Sequence, residues 1–144
     1  MYVPPIPAHP TDIQLAVQKH FRKKRDYVLK RLEEMGLKTH TPEATFYIWV
    51  DLSSLQPPLD DGLVFFEELL KEKAICVPGI AFDIDPAARR NLFESPAHHF
   101  VRLSYGPKME NLRIGMDAIE RVLKKQKEVG TVLGEGYVDH EELS

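Results

Sequence analysis

The stretch HHFVRLSYG, residues 98–106, sets a permanent cation, Arg102, in the middle of a segment that otherwise alternates like a β-strand. Period two puts His99, Val101, Leu103 and Tyr105 on one face and Phe100, Arg102 and Ser104 on the other. Val101 and Leu103 mark the core side, so Arg102 projects from the opposite face. Its planar, five-donor fork suits two-point binding of a carboxylate or phosphate. An exposed arginine, or one held in a structural ion pair, fits the same pattern.

The other reactive side chains carry weaker signals. His98 and His99 are adjacent, and in a strand neighbours point to opposite faces, so one metal ion cannot readily take both. No histidine pairs with another ligand at the spacing of a zinc motif, and no metal site is expected. Cys76 is the single cysteine. It cannot close an internal disulfide, has no histidine beside it in sequence to activate it, and reads as a buried structural thiol in a reducing cytosol. The basic run KHFRKKRDYVLKR, residues 19–31, keeps its apolar residues on one helical face, which leaves its charges as a solvated face. With a formal net charge of −3, the chain offers no global attraction to nucleic acid or anionic lipid. The glycines form neither a G-x-G-x-x-G nor a Walker pattern, so no phosphate cradle is visible.

The elements that must position these residues follow from periodicity. The first ten residues include four prolines and read as an extended arm or linker. From Thr11 or Asp12 to Met35, the residues Ile13, Val17, Phe21, Val28, Leu32 and Met35 make one helical stripe closed by Gly36. A helix of that length reaches beyond the needs of a 144-residue domain. LKTHTPEATFYIWVDLS then predicts two extended segments around a turn at Pro42, the second rich in aromatic and β-branched residues. Asp60 or Asp61 caps a second helix running to about Lys73, with Leu63, Phe66 and Leu70 on its apolar face. AICVPG is a short strand, and residues 80–98 are irregular, with PAARRNLF suited to one or two helical turns. Loops of that length inside compact domains are usually functional or partly disordered. After the strand at 99–105 comes a third helix, striped by Leu112, Met116, Ile119 and Leu123. Residues 130–144 are Gly-rich and acidic and read as a loose tail. The order helix, strand, strand, helix, strand, strand, helix predicts an α+β fold, helices packed on a small antiparallel or mixed sheet. No apolar run approaches the length of a membrane span, and the opening MYVPPIPAHP has neither the basic nor the apolar region of a signal peptide.

Three stretches in order, PEATFYIWVDL (42–52), FFEELLKEKAICVPGIAF (65–82) and FVRLSYG (100–106), resemble the C-terminal small domain of class I/II aminotransferases, the fold-type-I enzymes that use pyridoxal phosphate. The resemblance runs from about Thr11 to Lys127. It implies a small domain at 11–128, between the linker at 1–10 and a flexible tail at 129–144. It also implies that the long first helix enters from a large domain. Ala44 stands where the family's P-E-G-T-F-Y segment has glycine, which implies a local backbone difference. Val77–Phe82 matches V-P-G-x-x-F, next to the strand that leads toward the active-site cleft. The arginine of V-R-L-S is Arg102, and the resemblance implies that it grips the α-carboxylate of the substrate.

The family's Schiff-base lysine sits in a pattern like S/T-x-S/A-K, and none of the eleven lysines here follows such residues. The resemblance therefore implies no catalytic residue in this chain and no bound cofactor for the chain alone. Pyridoxal phosphate belongs to a full-length parent that moves an amino group between an amino acid and a 2-oxo acid. The implied partners are those substrates, the large domain and further copies of the chain, in the cytoplasm. The alternative is a stand-alone, non-catalytic module of the same fold that binds a ligand or another protein.

Overall fold

Thr11 opens the first helix with a reciprocal cap: its Oγ1 accepts from the Gln14 backbone N–H at 3.3 Å, and Gln14 Oε1 accepts from the Thr11 N–H at 2.8 Å. Two orphan donors of the first turn are thereby satisfied. Helix α1 (Asp12–Glu34) ends at Gly36, whose φ of 79° is open to glycine without strain. The Gly36 and Leu37 N–H groups return to the carbonyls of Glu33 and Leu32, the paired bonds of a Schellman ending. The computed structural model describes residues 9–85 and 94–135, with side chains as far as 130.

Five further helical or extended pieces follow before the arginine strand. Strands β1 (Lys38–Thr39) and β2 (Tyr47–Asp51) precede helix α2 (Gly62–Lys71), strand β3 (Val77–Pro78) and a 3₁₀ turn (Gly79–Phe82). Strand β4 (Phe100–Ser104) and helix α3 (Met109–Glu135) complete the described chain. The sheet order is β1-β2-β4-β3, with every pairing antiparallel. The fold is α+β, as the element order predicts. The PAARRNLF segment lies outside the described residues.

One face of the sheet is the core. Ile48 and Val50 of β2 and Val101 and Leu103 of β4 join Val28 and Leu32 of α1, Phe65 and Leu69 of α2, and Leu112, Met116 and Ile119 of α3 in a single buried cluster. All three helices therefore lie on that side. The α1 stripe splits in two: Val28 and Leu32 are buried, while Ile13 is 77% exposed and Val17 is exposed. The N-terminal half of α1 thus overhangs the layer, which matches its length of about 34 Å at 1.5 Å per residue.

Three details differ from the sequence reading. In α2 the buried residues are Gly62, Phe65 and Leu69, while Leu70 is exposed. The face is rotated by one residue from Leu63, Phe66 and Leu70, because Asp61 caps the helix through the Leu63 and Val64 N–H groups and Gly62 abuts the β4 backbone. The basic run is also not wholly solvated. Lys24 is buried, and its ammonium donates to the Gly106 carbonyl at 3.0 Å. Arg31 reaches Asp117 at 2.9 Å and Glu120 at 3.3 Å on α3. α3 itself runs past Gly130 to Glu135, into the stretch read as a tail. A glycine inside a helix costs about 1 kcal/mol but breaks no hydrogen bond.

Glu72, at the end of α2, ties that helix to α3 through Arg121 at 2.7 Å and through Lys125. Hydrogen bonds from Lys125 and then Arg121 hold its carboxyl below the usual range, and Lys124 does the same for Glu120. A carboxyl whose pKa is lower folded than unfolded stabilises the fold above its unfolded value and ceases to as pH falls through its folded one. The melting temperature is expected to hold from pH 7 to about 5 and to fall below about pH 4.5. A Glu72→Gln variant should show a shallower acid limb in the same thermal scans.

Candidate functional site

β4 places Arg102 on the face away from the core, level with Trp49 of β2 and Val77 of β3. The side chain is half-buried. Its guanidinium carbon lies 3.9 Å from the centre of the Tyr47 ring and 4.3 Å from that of Phe82. Among the described residues it makes no hydrogen bond and no ion pair, and its Nε is buried without an acceptor. Neither an exposed charge nor a structural ion pair describes this arginine. A buried donor left unmade costs about 1–3 kcal/mol.

The aromatic surroundings are ordered from both sides. Phe46 packs on Tyr47 with ring centres 4.5 Å apart, and Trp49 meets Phe82 edge-on at 5.1 Å. The turn that delivers Tyr47 contains Thr45 at φ 66°. This left-handed conformation is an outlier for a β-branched residue. Its carbonyl is held by the Tyr105 hydroxyl at 2.7 Å and its own Oγ1 accepts from the Tyr47 N–H at 3.4 Å. Ala44 takes no positive φ, so the unusual backbone falls one residue after the position where the family has glycine. Phe82 is delivered by the 3₁₀ turn, whose first residue, Gly79, packs directly against the backbone of Ala97 and Phe100.

Tyr47 and Trp49 were open to sequence reasoning. They have the opposite parity to the core residues Ile48 and Val50 and so must share a face with Arg102. Phe82 carries no such signal, since a 3₁₀ turn has neither strand nor helix period. All three quoted stretches thus converge at one place, because PEATFYIWVDL supplies Tyr47, the segment ending GIAF supplies Phe82 and FVRLSYG supplies Arg102.

The histidines and the cysteine lie elsewhere. His98 and His99 precede β4 in a turn, and their rings pack together with centres 3.7 Å apart. The expectation that they point to opposite faces fails because strand geometry begins only at Phe100. His98 Nδ1 meets the Ser95 carbonyl and His99 Nδ1 the Asp60 carbonyl, at 2.9 and 2.7 Å. Among the described residues, no group of three histidine, cysteine or acidic side chains could hold a metal ion. Cys76 is buried, and burial pushes its thiol up to about 12, so it supplies no thiolate at neutral pH. No described helix is long and apolar enough to cross a membrane.

The three helices and four-stranded antiparallel sheet make the α+β layer that the aminotransferase resemblance implies. The chain belongs to the aminotransferase class I and II family, whose pattern it matches over residues 15–119. It is 35% identical over 115 residues to aromatic-amino-acid aminotransferase 2 of Thermococcus litoralis, covering 77% of this chain and 25% of that protein. An aspartate aminotransferase of Pyrococcus abyssi is also 35% identical over the same share of each chain. Among solved structures, the aromatic aminotransferase of Pyrococcus horikoshii superposes with a TM-score of 0.63 at 31% identity, covering 80% of this chain and 27% of that one. The aspartate aminotransferase of Thermus thermophilus with maleate gives 0.62 at 32% identity, covering 77% and 25%. The chain spans about a quarter of the length of the curated relatives it matches.

The family's enzymes use pyridoxal phosphate; among this chain's described residues, neither the buried lysine nor the capped starts of α1 and α2 fit it. Of its lysines only Lys24 is buried, and its ammonium is committed to the Gly106 carbonyl; a Schiff-base lysine needs a free amine in a shaped pocket. A phosphate favours an open helix N-terminus. Here Thr11 and Asp61 already cap those of α1 and α2.

Proposed function

We propose that this chain is the small-domain portion of a pyridoxal-phosphate-dependent aminotransferase and that Arg102 supplies its grip on the α-carboxylate of the amino-acid or 2-oxo-acid substrate. The observation that carries this reading is the arginine itself. It is half-buried on the bare face of the sheet, paired with no acid among the described residues, and fixed to its neighbours only through aromatic rings. An arginine so placed retains its whole charge and its outer fork for an incoming carboxylate.

The base and the electron sink belong to a large domain, against which the overhanging half of α1, with exposed Ile13 and Val17, packs. The parent transfers an amino group between an amino acid and a 2-oxo acid and works as a homo-oligomer in the cytoplasm. The buried, reduced Cys76 supports that compartment.

Maleate is the probe of choice, as the dicarboxylate in the similar Thermus thermophilus structure. In protein labelled with ¹⁵N-arginine, maleate is expected to produce a saturable shift of the Arg102 side-chain resonance, measured against chloride at equal ionic strength. The exposed Arg22 and Arg113 serve as internal references. Arg102→Lys should abolish the site-specific response, since lysine lacks the two-point fork. A response at Arg102 no different from theirs would overturn the reading. Pyridoxal phosphate added to the purified chain is expected to give no stable one-to-one absorbance band that amino acid discharges; such a band would refute the division of labour.

A further inference from the structure

The guanidinium of Arg102 is oriented by something other than the usual acid or carbonyl. Arginines that bind ligands are commonly held in register by hydrogen bonds on their inner edge. Here the inner edge, Nε, is buried and has no acceptor among the described residues. The closest groups are the two rings, Tyr47 at 3.9 Å and Phe82 at 4.3 Å from the guanidinium carbon.

We propose that Tyr47 and Phe82 are positioning residues that clip the Arg102 guanidinium in one plane and restrict carboxylate approach to its outer Nη edge. The inference rests on the reading of Arg102 as a carboxylate grip. Aromatic faces attract a guanidinium through their quadrupole and stack on its flat surface. Unlike an aspartate or glutamate, they neutralise none of its charge and offer no acceptor that a substrate carboxylate must displace. Each ring is in turn braced, Tyr47 by Phe46 and Phe82 by Trp49. The buried Nε excludes a side-on grip through Nε and one Nη, so the two points of contact are the terminal nitrogens. Holding the fork in advance removes part of the ordering cost of binding.

The test compares the whole chain with Tyr47→Leu, Phe82→Leu and Tyr47→Phe, using the Nε–Hε resonance of Arg102 and maleate titration. The clip predicts a ring-current-shifted, slowly exchanging Nε–Hε signal in the unaltered protein. In each Leu variant it should move toward the position of exposed arginines, with maleate affinity weakened about 3- to 10-fold per ring. Tyr47→Phe should retain both signal and affinity, because the ring rather than the hydroxyl does the holding. Core amide resonances that stay in place establish that the variants remain folded.

Leu variants that leave the Arg102 signal and the affinity unchanged overturn the clip, while a maleate response in the unaltered protein leaves the carboxylate reading standing. No maleate response in the unaltered protein defeats the carboxylate reading. Displacement of the Arg102 signal in the Leu variants then still supports the aromatic hold on its plane.

Discussion

Gly79→Ala is expected to destabilise the protein by about 3 kcal/mol, the upper end of what overpacking costs, and to loosen the aromatic contact on Arg102. A methyl group on Gly79 overlaps the Ala97 carbonyl oxygen and comes within 2.9 Å of that of Phe100. Both atoms are backbone, and the second belongs to β4, which is paired on both sides. Nothing near the glycine can yield without moving a strand. The turn therefore has to lift away, and Phe82, three residues on, lifts with it. The melting temperature should fall by roughly 6–12 °C for a chain of this size, and the Arg102 Nε–Hε signal should broaden in the same sample. Gly115→Ala is the control. Nothing lies within 4 Å of a methyl there, so an alanine inside α3 should raise stability by about 0.5–1 kcal/mol.

Phe65→Ala is expected to cost about 3–5 kcal/mol, the range for emptying a buried phenylalanine site. Phe65 is 1% exposed, shares the buried core with Ile48 and Val101, and is the largest of the fully buried side chains. α2 is only ten residues long and too short to persist without its tertiary face. Loss of the phenyl group should therefore weaken the docking of the whole helix. Urea unfolding should show a lower midpoint with an unchanged slope. Leu70→Ala, on the residue that periodicity alone places at the core, should shift stability by no more than about 0.5 kcal/mol, because Leu70 is 48% exposed. The pair of variants reads out which side of α2 is inside.

The misplaced face of α2 shows where pattern reading stops. In LVFFEELLK both Leu63-Phe66-Leu70 and Phe65-Leu69 have helical spacing, and hydrophobicity alone ranks the longer set first. What selects the other is Gly62, whose lack of a side chain lets the helix start against the carbonyls of His98 and Phe100. That contact spans 36 or more residues of chain and has no local signature. Lys24 is similar: both its neighbours in sequence are charged, but its ammonium donates to the Gly106 carbonyl just past the end of β4. The histidine pair differs for a more local reason, since a strand that begins at Phe100 rather than His99 leaves two side chains expected to oppose each other packed together.

Local chemistry alone determined much of this protein. The Thr11 cap, the Gly36 stop, the alternation in β2 and β4 and the α3 stripe each depend on residues within a few positions of one another, which is why the α+β order and the face of Arg102 were legible from the chain. The family motifs supply the role proposed for that arginine. Tertiary structure decided what surrounds it. Tyr47, Phe82 and Arg102 come from three separated segments, and whether a cation on a sheet meets an acid, water or aromatic rings depends on which segments the core brings together. Here the helices fill one face of the sheet and leave the other to the rings, so the guanidinium is held in place with its charge unspent.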